Sequence, residues 1–278
     1  MLVKRSKIIW NEVFQRQVRN LSLTGRQRMA VLQKYWQNPI TRELELRNVF
    51  YKFSADYGEE RGYEALNEVV VSRLLTELGI SHVEYTLGLI EMHNADKVER
   101  VPCCISYDYK GAGQTAMPLD LYCALQGKHN PEQTLQELDM QTELNRMYLV
   151  DFLIRNIRRT QRDVELYNLP DGRLVMAPLF DNGSSLVVNP AMLRSIQSGE
   201  LNPLDDNIVT GITGKVSLFE NMKKIMQPVK VHALTHEGMA RITYGLKAVL
   251  ERPHMDALLE LLKVRYDYAR QEGILVEE

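Results

Sequence analysis

The segment Asn48-Val49-Phe50-Tyr51-Lys52-Phe53 sets a lysine inside a compact apolar and aromatic run. Such a run reads as a strand. An ammonium buried there without a partner costs free energy, so the chain has two options. Either Lys52 lies on an edge strand with its amine in solvent, or the fold brings a carboxylate to it. Candidates follow at once. From Tyr63 to Leu78, residues Ala65, Leu66, Val69, Val70, Leu74 and Leu78 recur at helical spacing, and Gly79 is placed as a C-terminal stop. That helix carries Glu64 and Glu68, and Leu66, Val69 and Val70 flank Glu68 near the face predicted to be buried.

Two strands are predicted next, Val83–Glu91 and Val101–Tyr109, joined by a polar loop over His93–Glu99. The order is strand, helix, strand, strand. Upstream, Trp10 to Val18 reads as strand or short helix. Thr24 to Trp36 has helical spacing at Met29, Leu32 and Trp36, with Thr24 as its cap. The second half is mainly helical. Asn130-Pro131-Glu132-Gln133 is a helix start, with an Asn cap and Pro at the first position, and the helix is predicted to run to about Asn156. Val164–Leu169 and Arg173–Ala177 flank Pro170-Asp171-Gly172 and read as a β-hairpin. Helices at about Glu237–Leu250 and Met255–Arg270 follow.

A chain of 278 residues, 45% hydrophobic and 25% charged, has material for a sizeable core in one two-lobed domain or two small ones. Its net charge of −2 gives no support for a general nucleic-acid binder, which needs a concentrated positive field, though local basic runs remain. Cys103, Cys104 and Cys123 are odd in number and lack CxxC spacing, so they read as reduced thiols. His232 and His236 are four apart, but no HExxH pattern accompanies them. No segment approaches the ~20 apolar residues of a membrane span, and none follows Met1 at signal-peptide length. The expectation is a cytoplasmic protein without membrane association, or one exported by a route the sequence does not show.

Several segments together resemble HipA-like bacterial serine/threonine kinases. Tyr51-Lys52-Phe53 matches the family's strand lysine. Glu64-Ala65-Leu66-Asn67-Glu68 is similar to its "E-A/G-L-x-E" helix, and Gly79-Ile80 with Val83-Glu84-Tyr85 to its "LGI…VEY" segment. Val150-Asp151-Phe152-Leu153-Ile154-Arg155-Asn156 resembles its "VDYLIxN" approach to the catalytic loop. Ala177-Pro178-Leu179-Phe180-Asp181-Asn182-Gly183-Ser184-Ser185-Leu186 resembles its metal-binding segment, and Gly214–Phe219 is a weaker echo of a later loop. The likeness spans about residues 49–220.

The resemblance implies an α+β, two-lobed protein kinase-like fold. A small antiparallel-sheet N-lobe would take about residues 1–105 and a mainly helical C-lobe about 106–278, with ATP and Mg²⁺ between them. Phosphoryl transfer needs a lysine on the phosphates, a glutamate holding that lysine, oxygen ligands for Mg²⁺ and a group orienting the attacking hydroxyl. By resemblance, Lys52 would bind the phosphates and Glu68 would pair with it, with Glu64 as runner-up. Asp181 and Asp163 would take the catalytic and metal-binding roles, and Ser106, Tyr107 and Asp108 would lie near the adenine. A phosphate-covering glycine loop is poorly marked. Leu23-Thr24-Gly25-Arg26-Gln27-Arg28 is one candidate, and Lys110-Gly111-Ala112-Gly113-Gln114 reads as a connection after the hinge.

The departure lies in the loop after Asn156. Where the family reads like "TDRHxxN", this chain has Ile157-Arg158-Arg159-Thr160-Gln161-Arg162-Asp163. Arg158 falls on the catalytic Asp, Thr160 on the His and Asp163 on the Asn. A guanidinium cannot accept a proton, and Asp151 or Asp163 would have to substitute as base. Two functions from different classes follow: an ATP- and Mg²⁺-dependent kinase acting on a protein Ser or Thr through an altered loop, or a pseudokinase acting through a protein partner. Arg155, Arg158, Arg159 and Arg162 read either as a solvated loop or as a cluster for phosphate, nucleic acid or an acidic partner.

Overall fold

The computed structural model describes residues 29–278, apart from 38–41, 58, 95–96, 112–113, 170 and 206–207. The expected elements at Trp10–Val18 and Leu23–Arg28, and residues Ala112 and Gly113 of the expected connection Lys110–Gln114, lie outside the described residues.

The first half is built on a four-stranded antiparallel sheet. Strands β1 (Met29–Gln37), β2 (Leu44–Phe53), β5 (Thr86–Asn94) and β6 (Lys97–Tyr107) lie in the order β1-β2-β6-β5. A two-stranded ribbon, β3 (Asp56–Tyr57) and β4 (Glu60–Arg61), leads into helix α1 (Glu64–Glu77). The strand, helix, strand, strand order therefore holds, with β5 and β6 pairing as far as Asn94↔Lys97. That pairing takes in residues at both ends of the span His93–Glu99 read from polarity as a loop.

One expected helix is a strand. Met29–Gln37 pairs with β2 along its whole length, from Met29↔Lys52 to Gln37↔Leu44. Its β-branched and aromatic residues, Val31, Tyr35 and Trp36, suit a pleated surface. Trp36 also lies under the Arg47 guanidinium of the neighbouring strand, 3.7 Å from ring centroid to carbon. Cross-strand pairing and stacking of this kind are non-local and outweigh a marginal helical spacing.

The two sheet faces do different work. Residues alternate between faces along a strand. Val49, Tyr51, Phe53, Val101 and Cys103 form one buried cluster with Ala30 and Ile90. Lys52 and its cross-strand partner Cys104 face the other way, toward Ala65 and Val69 of α1 and toward Val83 and Tyr85. Helix α1 is buried nearly all round: eleven of its fourteen residues are inaccessible. Leu74 and Leu75, at 1% and 0% exposure, each contribute about 2 kcal/mol by burial. Ser54 Oγ accepts the Ala65 N–H at 3.0 Å and so closes the helix N-terminus from the preceding loop. Gly79 closes the other end at φ +69°, where a Cβ would meet the His232 ring at 2.6 Å.

The second half is helical with small ribbons. Strand β7 (Ala116–Pro118) pairs with β8 (Glu165–Asn168), which pairs with β9 (Leu174–Met176). The expected hairpin thus gains a third strand. Helix α2 (Leu119–Leu125) precedes α3 (Pro131–Glu137) and α4 (Gln141–Leu153). The Asn130 cap holds, its side chain accepting the Gln133 N–H at 3.2 Å. The single helix expected to run to Asn156 is broken at Leu138–Met140, where Asp139 takes φ +58°. Asp tolerates that left-handed backbone because its short side chain avoids the usual clash.

Next come α5 (Pro190–Gln197), the ribbon β10 (Ile208–Gly211) and β11 (Gly214–Ser217), α6 (Leu218–Lys223) and β12 (Val229–Val231). Helices α7 (His236–Thr243) and α8 (Arg252–Gln271) precede β13 (Leu275–Glu277), which pairs parallel with β12. Helix α7 stops earlier than Leu250, and Pro253 sits in the first turn of α8, where its missing N–H is no loss. Arg265 of α8 is fully buried yet satisfied: it donates to the carbonyls of Pro203 (2.7 Å), Phe152 (2.9 Å) and Asp205 (3.0 Å). It thereby fixes the end of α4, from which the next loop departs. Among the described residues no helix is long and apolar enough to cross a membrane.

Candidate functional site

Strand β2, helix α1 and the loop after β9 meet at Lys52. Its Nζ donates to Asp181 Oδ1 at 2.7 Å and to Glu68 Oε1 at 3.0 Å. The Tyr85 hydroxyl lies at 3.4 Å. The expected carboxylate partner is therefore Glu68, which is completely buried. The runner-up, Glu64, is engaged elsewhere: it accepts from the Ala55 N–H (3.2 Å) and the Tyr57 hydroxyl (2.6 Å). Burial alone would lower the Lys52 pKa, but Glu68, Tyr85 and Asp181 outweigh it and raise it well above its ordinary value. Lys52 is an ammonium at any physiological pH. Asp181 responds in the opposite sense. Burial works against its charge, yet Lys52 holds its carboxyl down at about 2.

The Asp181 loop is held by contacts the sequence reading did not single out. Glu68 Oε2 accepts the Asn182 N–H at 2.9 Å, so one glutamate grips both Lys52 and the loop. Asn67, one residue earlier in α1, donates to the carbonyls of Ser185 (2.6 Å), Val187 (3.1 Å) and Gly183 (3.2 Å). The signal was present: Asn67 is a polar residue inside an otherwise apolar helix, and a buried amide needs partners. Just before the loop, Val83 N–H donates to Leu179 O at 2.9 Å, and Phe180 stacks on Tyr109 at 6.2 Å. Asp181 takes φ +56° and Leu186 φ +53°. The left-handed Leu186, fully buried, is strained by about 1–3 kcal/mol, so the surrounding bonds over-determine the turn.

The loop after α4 runs beside it. Arg159 is 2% exposed and binds Asp151 through both Nε and a terminal nitrogen (3.2 and 2.8 Å). It also donates to Phe180 O (2.7 Å) and Asn182 Oδ1 (2.6 Å). Asn156 Nδ2 adds a third donor to Asp151 at 2.9 Å. Asp151 is thus a buried brace between two loops, saturated with donors, and is not placed to take a proton from a substrate.

Asp163 closes a single 3-10 turn, Gln161–Asp163, where its Oδ2 accepts the Thr160 N–H (2.7 Å) and hydroxyl (2.8 Å). Burial and then the nearby Asp181 raise its pKa, so the two carboxylates sit in each other's field. Arg158, on the same loop, brings a terminal nitrogen to 3.6 Å from Asp181 Oδ2. One carboxylate thus stands between two cations.

The four loop arginines do not share one surface. Arg155 and Arg159 are buried, Arg162 is exposed and paired with Asp120 at 2.9 Å, and Arg158 points at Asp181. A four-arginine nucleic-acid patch has no geometric basis here.

Ser106, Tyr107 and Asp108 lie where the chain leaves β6 for the helical half. Phe50↔Ser106 and Val49↔Tyr107 are direct pairs. By strand alternation Ser106 shares the face of Lys52 and Cys104, and Tyr107 faces away, 39% exposed. Asp108 is occupied by Lys110, whose Nζ lies 3.1 Å from its carboxylate.

Mg²⁺ takes oxygen ligands, keeps several waters and is commonly bound by one or two carboxylates together with substrate phosphates. Asp163 and Asp181 fit that requirement in type and number. Among the described residues no group of three His, Cys, Asp or Glu side chains forms a metal cage.

A small antiparallel sheet with one buried helix, hinged to a helical half, with a lysine–glutamate pair at the junction, is a two-lobed kinase-like fold. The crystal structure of CtkA, a proinflammatory kinase of Helicobacter pylori, matches it at a TM-score of 0.59 and 16% identity, over 87% of this chain and 96% of that one. At that identity the likeness is one of fold. No protein-family model matches the chain, and no curated protein does.

Proposed function

We propose that the protein binds a nucleoside triphosphate, with Mg²⁺, in the cleft between sheet and helical half, and that it acts chiefly as a pseudokinase through a protein partner. The observation that carries the reading is Lys52, held at once by Glu68 of α1 and Asp181 of the loop after β9. A lysine so placed presents a fixed positive charge to phosphate oxygens. Asp163 and Asp181 would hold the metal, and Ser106 to Asp108 would border the base. The bound nucleotide would offer a phosphoryl group, but the position that resembles the family's catalytic Asp is Arg158. A cation there cannot orient a hydroxyl by accepting its proton, and Asp151 is tied to Arg159.

A second reading is an active serine/threonine phosphotransferase of HipA-like type with an altered loop. It is favoured by the complete Lys52–Glu68–Asp181 arrangement and by the fold shared with a kinase, with Asp163 as the remaining carboxylate near Asp181.

Calorimetric titration with ATP in Mg²⁺ buffer tests the first step, using wild type, Lys52→Ala and Asp181→Ala. Binding by wild type and its loss in both variants supports the cleft. Absence of binding at millimolar ATP removes both nucleotide readings and leaves a scaffold. Intact-mass measurement after incubation with Mg–ATP then separates the two, since a gained phosphoryl group requires the active form.

A further inference from the structure

Asp181 is flanked by Lys52 on Oδ1 at 2.7 Å and by Arg158 on Oδ2 at 3.6 Å. The two contacts differ in kind. Lys52 makes a short hydrogen-bonded pair and is mostly enclosed. Arg158 stands beyond hydrogen-bond length, with 55% of its side chain exposed. Its main chain is nonetheless fixed: its N–H donates to Asn156 Oδ1 at 3.1 Å, and a backbone bridge joins it to Thr210. The guanidinium can therefore swing on a rigid base.

A triphosphate brings several negative charges into the cleft, and a metal ion ordinarily offsets them. An arginine fork matches phosphate oxygens with two parallel N–H···O bonds and keeps its charge at every pH of interest. The same charge disfavours a second cation on Asp181 Oδ2. Arg158 thus both supplies what a metal supplies and competes with one.

We propose that Arg158 takes over the charge-neutralising part of a metal ion at this site, leaving Asp181 for the terminal phosphate, so that a nucleoside triphosphate binds with little dependence on Mg²⁺. This rests on the nucleotide-binding reading above.

The test is titration of the full chain with ATP in EDTA and in Mg²⁺, for wild type, Arg158→Ala and Arg158→Lys. Wild type is expected to bind in EDTA within about tenfold of its affinity in Mg²⁺. Loss of a charge-assisted phosphate contact costs roughly 10- to 100-fold, so Arg158→Ala should weaken by that factor in EDTA and by much less in Mg²⁺. Arg158→Lys, a point charge without the fork, should fall between. Thermal unfolding of the variants checks that the half-exposed side chain is not needed for folding. Wild-type binding that strictly requires Mg²⁺, or an Arg158→Ala affinity in EDTA equal to wild type, overturns the proposal and leaves the nucleotide reading standing. No binding in either buffer overturns both.

Discussion

Arg159 closes on Asp151 with two nitrogens, at 2.8 Å from a terminal nitrogen and 3.2 Å from Nε, and both residues are buried. Removing one partner of a buried pair leaves the other charge uncompensated, which costs about 3–5 kcal/mol. Asp151→Ala is expected to lose stability on that scale in urea unfolding. Asp151→Asn keeps an acceptor for Arg159 and should lose less, while still binding nucleotide. An Asp151→Asn protein that folds normally but loses nucleotide binding would contradict the bracing role given to Asp151.

Asp163 makes the opposite kind of contribution. Burial and the charge of Asp181 raise its pKa, so its ionised form is less favourable in the fold than in the open chain. A carboxyl raised in this way detracts from stability in full above its folded pKa, and the penalty fades as pH falls from there toward the ordinary value and is gone below it. Asp163→Asn keeps an oxygen for the Thr160 N–H and hydroxyl. It should unfold at higher temperature than wild type at pH 7 and at the same temperature near pH 3, while binding Mg–nucleotide less well. If Asp163 holds the metal as proposed, function and stability are opposed at this residue.

Asp181 is depressed to about 2 from an ordinary 3.8. A depressed carboxyl contributes stability that is complete above its unfolded pKa and is lost as pH falls through the folded one. The shift corresponds to about 2 kcal/mol. The stability difference between wild type and Asp181→Asn should be flat above pH 5 and shrink between about pH 4 and pH 2. Asn tolerates the left-handed backbone of this position, so the comparison isolates the charge. A difference that does not change over that range would remove Lys52 as the cause.

The residues legible in the sequence were those where local chemistry admits few solutions. A lysine in an apolar strand and a glutamate on the apolar face of the next helix are each costly alone, so Lys52 and Glu68 meet. The Asp181 segment was legible as a motif. Three features were not. Strand β1 depends on pairing with β2, and its spacing at Met29, Leu32 and Trp36 satisfies a helix equally well. The break at Asp139 carries neither Gly nor Pro, the usual punctuation. Asn67 gains its role only from carbonyls 116 to 120 residues away. Each miss is a case of tertiary partners deciding what a short window leaves open.

His254 provides a pH response away from the cleft. It is 2% exposed, its Nε2 has no partner among the described residues, and its ring lies 3.9 Å from that of Tyr63. Burial pushes its pKa down to about 4 from 6.5, so the fold holds it neutral. A depressed histidine contributes stability that is complete above its unfolded pKa and is lost as pH falls from 6.5 through 4, because the unfolded chain takes up the proton first. The loss amounts to about 3 kcal/mol. His254→Phe retains an aromatic ring against Tyr63 and removes the titration. Wild type should therefore lose about that much more stability than His254→Phe between pH 7 and pH 4, measured by urea unfolding at each pH. Parallel pH curves for the two proteins would mean that His254 is already solvated or partnered in the folded state.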